Sequence, residues 1–79
     1  MARIRLFAGA ADILGATELR SDATTAGALR QSLVAGHGVS AEQVITRCSL
    51  MVDGVRAADD DHPIRAESLV DVLPPFAGG

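Results

Sequence analysis

Leu69-Val70-Asp71-Val72-Leu73-Pro74-Pro75-Phe76-Ala77-Gly78-Gly79 is the stretch from which the rest of the sequence is read. Its first five residues alternate, with Val70 and Val72 on one face and Leu69, Asp71 and Leu73 on the other, which predicts a strand buried on one side. Pro74-Pro75 ends that strand, because proline has no N–H to give to a sheet ladder. Residues 1–73 are therefore expected to form the folded domain and residues 74–79 a tail, which fully extended spans at most ~20 Å. The two prolines stiffen the exit and are expected to hold the tail away from the sheet. Gly78-Gly79 adds no side chain, so such an end fits a channel no wider than backbone. Phe76 lies beyond the last strand, where an aromatic is expected to anchor in a partner's pocket. The alternative is that it folds back onto the face carrying Phe7 and Leu73.

A second alternating stretch opens the chain. Ile4, Leu6 and Ala8 fall on one face, and Arg3, Arg5 and Phe7 on the other, which predicts a strand beside the last one. Gly9 to Gly15 reads as a turn or a short helix closing at Gly15, and Thr17 to Ser21 as a second strand with Leu19 as its core contact. Thr24 or Thr25 can cap a helix. Ala26, Leu29 and Leu33, flanked by Val34, form its apolar stripe, and Gly36-His37-Gly38 stops it. Ser40 and Gln43 have the spacing of a capping box, from which a second, shorter helical turn through Val44 and Ile45 is expected. Asp53-Gly54 between apolar runs is a hairpin signal. Asp59-Asp60-Asp61-His62-Pro63 reads as a polar loop, with Ile64 returning to the core. The expected architecture is α+β, a sheet of about five strands with one main helix across one face. No internal repeat, linker or second domain is visible.

Composition narrows the function. The 79 residues suit one small domain, which buries about 60–65% of its unfolded surface and has little room for a cofactor pocket. The formal charge is −3, so no basic footprint for nucleic acid is present. All seven basic residues are arginine, at positions 3, 5, 20, 30, 47, 56 and 65, and lysine is absent. Cys48 is the single cysteine, which excludes an internal disulfide and fits a reducing cytoplasm. No apolar run approaches the ~20 residues of a membrane-spanning helix. A cytoplasmic protein with neither nucleic acid nor membrane as partner is expected.

The sequence resembles the MoaD/ThiS group of ubiquitin-like sulfur carriers, and the small subunit of molybdopterin synthase in particular. The residues that carry the resemblance are the strand ending Phe7-Ala8, the turn at Leu14-Gly15 and Ala28-Leu29-Arg30 in the helix. They continue through Val52-Asp53-Gly54, His62-Pro63-Ile64 and the final strand with its double proline and Gly-Gly. The resemblance implies a β-grasp fold and a carrier role. An E1-like (MoeB-like) enzyme uses ATP to adenylate the Gly79 carboxylate. A sulfur donor, such as a cysteine desulfurase or a rhodanese, then converts it to a thiocarboxylate. The large synthase subunit (MoaE-like) takes up the tail and uses that sulfur for the molybdopterin dithiolene. On this resemblance Gly79 carries the chemistry, while Phe7, Leu73, Pro74, Pro75, Phe76, Ala77 and Gly78 bind partners. No cofactor is expected to be bound by the chain itself, and catalysis is left to the partner proteins. Sulfur delivery to thiazole, cysteine or tRNA, and ubiquitin-like conjugation to proteins, are the alternatives. Related sequences often have Asp-Gly-Asp before the last strand, where this chain has Arg65-Ala66-Glu67-Ser68.

Other candidates have plainer explanations. Cys48 beside a strand reads as a buried, inert thiol. Consecutive residues such as Asp59-Asp60-Asp61-His62 rarely converge on one ion, so a solvated loop is expected there. His37 reads as an exposed helix-terminal residue. Arg5 and Asp71 fall on the outward faces of neighbouring strands and are expected to form a cross-strand ion pair worth little. Phe7 and Leu73 on that same outward face are expected to form a docking patch.

Overall fold

The structure, a computed structural model, describes residues 1–75. Five strands, β1 (Ala2–Leu6), β2 (Glu18–Ser21), β3 (Ser49–Val52), β4 (Val55–Arg56) and β5 (Leu69–Leu73), form one sheet in the order β2-β1-β5-β3-β4. The first and last strands lie side by side near its centre and are parallel, while every other pairing is antiparallel. A parallel pair needs a crossover between its strands, and nearly the whole chain serves as that crossover. Alternation decides the faces as expected. Ile4, Leu6, Leu50, Val52, Val70 and Val72 are buried, while Arg3, Arg5, Met51 and Asp71 look outward.

Three helices cover the inner face: α1 (Ala8–Leu14), α2 (Ala26–Val34), the helix expected from the apolar stripe, and α3 (Gly38–Arg47). Their buried residues Ala10, Ala26, Leu29, Leu33 and Ile45 join the strands in one continuous core. The expected short turn after Ser40 is instead the ten-residue α3, longer than α2. Ala41 and Ile45 are fully buried and Val44 packs beside them, so an i, i+3, i+4 apolar stripe propagates the helix in both directions. Ser40 lies inside α3, and His37 occupies the N-cap without a side-chain cap bond, so the expected capping box is not formed. Ala8 also departs from expectation. It starts α1 with φ 49° rather than continuing β1.

Local signals elsewhere hold. Thr25 caps α2 by accepting from the Ala28 N–H at 3.2 Å, and Gly15 closes α1 in the left-handed conformation, its N–H donating to Ala11 O. Asp53 and Gly54, with φ of 51° and 83°, make the mirror-image hairpin turn between β3 and β4. Asp53 does more than turn the chain. Its N–H donates to Leu69 O at 2.8 Å, and its Oδ1 accepts from the Leu69 N–H at 2.9 Å. The segment Arg65-Ala66-Glu67-Ser68 needs no glycine. Ser68 N–H donates to Arg65 O at 3.1 Å, the buried Ser68 hydroxyl accepts from Arg65 N–H at 2.9 Å, and none of the four residues has positive φ.

The acidic loop is tied to the body by its backbone. The Asp60 and His62 carbonyls accept from Gly27 and Ala26 N–H, each at 2.9 Å. They satisfy two amides that the first turn of a helix leaves unpaired. Ile64 is buried behind them. Among the described residues no helix is long and apolar enough to cross a membrane.

Candidate functional site

The outward face of the sheet is the candidate site, since the helices cover the other one. Register sets its pattern. Glu18, Arg5, Asp71, Met51 and Arg56 form one row across β2, β1, β5, β3 and β4. Arg5 grips Asp71 through both guanidinium branches, at 2.6 and 2.8 Å, and this hydrogen bonding raises the Arg5 pKa above its ordinary value. The expected ion pair is thus present, and with a better geometry than a single contact. A second pair was not foreseen. Arg3 lies directly opposite Arg20 in the ladder, and its side chain instead reaches diagonally to Glu18 at 3.1 Å. The Arg3 hydrogen bond in turn holds the Glu18 carboxyl below its usual range.

Phe7 and Leu73 are brought together where β1 and β5 end. Leu6 is in register with Val72, and the Phe7 N–H continues the ladder to Val72 O at 3.3 Å. The following positions, Phe7 and Leu73, therefore both face outward. Phe7 is 38% exposed and Leu73 is half-buried. The Arg5 guanidinium lies 5.8 Å from the centroid of the Phe7 ring, within cation–π range. Arg5 thus holds Asp71 with its nitrogens and shields one side of Phe7. Sequence reasoning assigned Arg5 only to the ion pair. The signal for the second contact was the i, i+2 spacing, which puts both side chains on one face of a strand.

The chain leaves β5 at this same end of the sheet. Pro74 is buried in the body of the chain and Pro75 is exposed. Phe76, Ala77, Gly78 and Gly79, which sequence reasoning named as binding or reacting residues, lie outside the described residues. The choice between a partner-facing and an inward-folded Phe76 lies there too.

Elsewhere the described residues offer little chemistry. Cys48 is buried with its Sγ–H directed at Val44 O, 3.2 Å away, and burial pushes its thiol pKa up. His37 is exposed. No group of three or more His, Cys, Asp or Glu residues among the described residues is arranged to hold a metal ion. An open groove of about 350 Å³ runs between α2 and α3, lined by Val34, Ala35, Ile45 and Thr46 with Arg30 and Glu42. Arg30 is occupied there, donating to Ile45 O at 2.8 Å.

Comparison with known proteins agrees with this geometry. No curated protein matches the sequence. Among solved structures, SAMP1 from Haloferax volcanii superposes with a TM-score of 0.77 at 23% identity, covering 99% of this chain and 98% of that one. A putative molybdopterin converting factor subunit 1 from Pyrococcus furiosus superposes with a TM-score of 0.68 at 17% identity, covering 94% and 95%. At these identities the two structures establish the ubiquitin-like β-grasp fold. The sequence pattern of the ThiS family matches residues 4–79, from the first strand through Gly79. A mixed sheet with its end strands parallel at the centre, and a family match over almost the whole chain, place this protein in the ThiS family, the ThiS/MoaD group of ubiquitin-like sulfur carriers and modifiers.

Proposed function

We propose that the chain is a sulfur carrier that bears sulfur as a thiocarboxylate on Gly79 and serves as the small subunit of a molybdopterin synthase. The observation that carries this reading is the convergence of the Phe7–Leu73 face and the start of the tail at one end of β5, in a chain of this family. A partner can grip the sheet and receive the tail in one encounter.

The chemistry follows from what a carboxylate lacks. It is a poor electrophile, and adenylation by an ATP-using, E1-like enzyme gives it AMP as a leaving group. The outer sulfur of a persulfide on a donor such as a cysteine desulfurase or a rhodanese attacks the acyl carbon and displaces AMP. A thiol reductant then cleaves the acyl disulfide, leaving one sulfur on the carboxyl and taking the donor's sulfur into a disulfide. The resulting thiocarboxylate is a soft nucleophile on a thin arm, suited to delivery inside a large synthase subunit. Acid–base work falls to those partners. The chain works in the cytoplasm, where ATP and reduced sulfur are at hand.

A modifier role is the second reading, favoured by the fold likeness to a small archaeal modifier protein. The same activated carboxyl would then pass to a lysine of another protein. Intact mass after incubation with ATP, a cognate E1-like enzyme and a sulfur donor separates the two. Exchange of one oxygen for sulfur, absent from a chain lacking Gly79, supports the carrier. No exchange with a demonstrably active enzyme, together with Gly79-dependent covalent adducts in cells, replaces it with the modifier.

A further inference from the structure

We infer that the side chains of this chain are inert toward its own activated carboxyl, so that Gly79 of one copy is never joined to a side chain of another. The inference rests on the proposed activation of Gly79 and adds a restriction that activation alone does not imply.

An acyl-adenylate or thioester at Gly79 is open to any amine. The nitrogen attacks the carbonyl carbon and a C–N bond forms. The bond to AMP or thiolate breaks with its electron pair, and the amine proton passes to water. Side-chain amines of a second copy would be among the targets wherever two copies meet. This chain has none on its side chains, since all seven basic residues are arginine. A guanidinium stays protonated in proteins and is no nucleophile at neutral pH. Thiols offer no detour, because Cys48 is 3% exposed with its pKa raised by burial. Serine and threonine hydroxyls are weak nucleophiles without an adjacent base.

The fold does not require this. Guanidinium geometry is used at Arg3 and Arg5, which hold carboxylates through two nitrogens, and at Arg30, which reaches Ile45 O. Arg20, Arg47, Arg56 and Arg65 are exposed, and none makes a side-chain hydrogen bond to a described residue. Lysine would supply the same charge at those four positions, including Arg47 in the last turn of α3, where any cation suits the helix dipole. Packing tolerates either residue there. The reactivity of Gly79 does not.

The test needs no activating enzyme, so its outcome is independent of the sulfur-carrier reading. The full chain is prepared with Gly79 as a mercaptoethanesulfonate thioester and its α-amine acetylated, so that only side chains can react. It is held concentrated at mildly alkaline pH and followed by intact mass, with Arg20→Lys and Arg56→Lys alongside and folding checked by circular dichroism. The wild-type chain is expected to hydrolyse without forming a covalent dimer, while both lysine variants accumulate dimers. Added lysine amide is expected to be acylated in every sample. Covalent dimers of the wild-type chain would overturn the inference. So would lysine variants that stay monomeric while the added amine is acylated.

Discussion

Replacing Gly27 with alanine sets two physical effects against each other with opposite signs. Gly27 is the second residue of α2 and has no positive φ, so alanine can adopt its backbone. Helix propensity alone then predicts stabilisation of about 1 kcal/mol. The structure predicts the reverse. A Cβ at position 27 would sit 2.8 Å from Asp60 Cβ, 3.1 Å from its Cγ and 3.2 Å from its carbonyl oxygen. Ordinary carbon–carbon contact begins near ~3.5 Å, so the loop must retreat by roughly 0.7 Å. That retreat stretches the 2.9 Å bond from Gly27 N–H to Asp60 O, and strains its neighbour from Ala26 N–H to His62 O. Two weakened bonds at ~1 kcal/mol each and about 1–3 kcal/mol of overpacking outweigh the propensity gain. A net loss of about 2–4 kcal/mol is expected, against a total stability of about 4–12 kcal/mol for a chain of this length. Urea unfolding followed by far-UV circular dichroism reads it, since the chain has no Trp or Tyr to report by fluorescence. Adding Asp60→Gly to Gly27→Ala removes the two side-chain contacts and should recover part of the loss. A Gly27→Ala chain as stable as wild type, or a double variant with no recovery, refutes the close-approach argument.

Four further outcomes are expected. Ile45→Ala opens the junction between α3 and the sheet at a fully buried site, and should lower stability by about 2–5 kcal/mol in the same urea assay. The Asp53 carboxyl is held below its ordinary pKa, chiefly by the Leu69 N–H and then by the Ser68 hydroxyl. Its contribution is therefore present above the unfolded value of about 3.9 and lost as pH falls through the lower folded value. Asp53→Asn keeps a residue suited to positive φ but should flatten that part of the acid limb of the urea midpoint, and Asp53→Ala should be the less stable of the two at neutral pH. Cys48 should react with a disulfide reagent only as fast as the protein opens, and rapid labelling of the native chain would contradict its burial. Phe7→Asp should leave the circular dichroism spectrum intact and weaken binding to the adenylating enzyme or the large subunit in a titration, and unchanged affinity would remove Phe7 from the docking surface.

Much of the fold was legible because its signals are local. Alternation in β1 and β5, Asp53-Gly54 at the hairpin and Thr25 at the α2 cap each depend on a few adjacent residues. What escaped was helix length. In α3, Gly38 and the exposed Val39 hide the start of an apolar stripe whose value lies in packing against α1 and α2, a tertiary gain invisible in a window of sequence. Ala8 was assigned to the strand because it fits the alternation, and only the chain's need to turn into α1 takes it out. The ion pair between Arg5 and Asp71 was readable from parity. The diagonal reach of Arg3 to Glu18 depends on which residue stands opposite Arg20, and register is fixed by the whole sheet.

The position of β5 ties recognition to chemistry. Its five residues are paired on one side to β1 and on the other to β3, and its inward valines are fully buried, so the point from which the tail departs is fixed by the core. From Pro75 the remaining four residues can extend by at most ~14 Å. On the proposed function, any protein that reacts at the Gly79 carboxyl must therefore hold its reactive centre within that distance of Pro75. The sheet end where Phe7, Leu73 and Arg5 face outward is, on that function, the surface such a protein is expected to meet. Docking and reaction are then expected to be one event. A lesion on that face is expected to act through KM for the carrier, whereas loss of Gly79 removes the reacting group altogether.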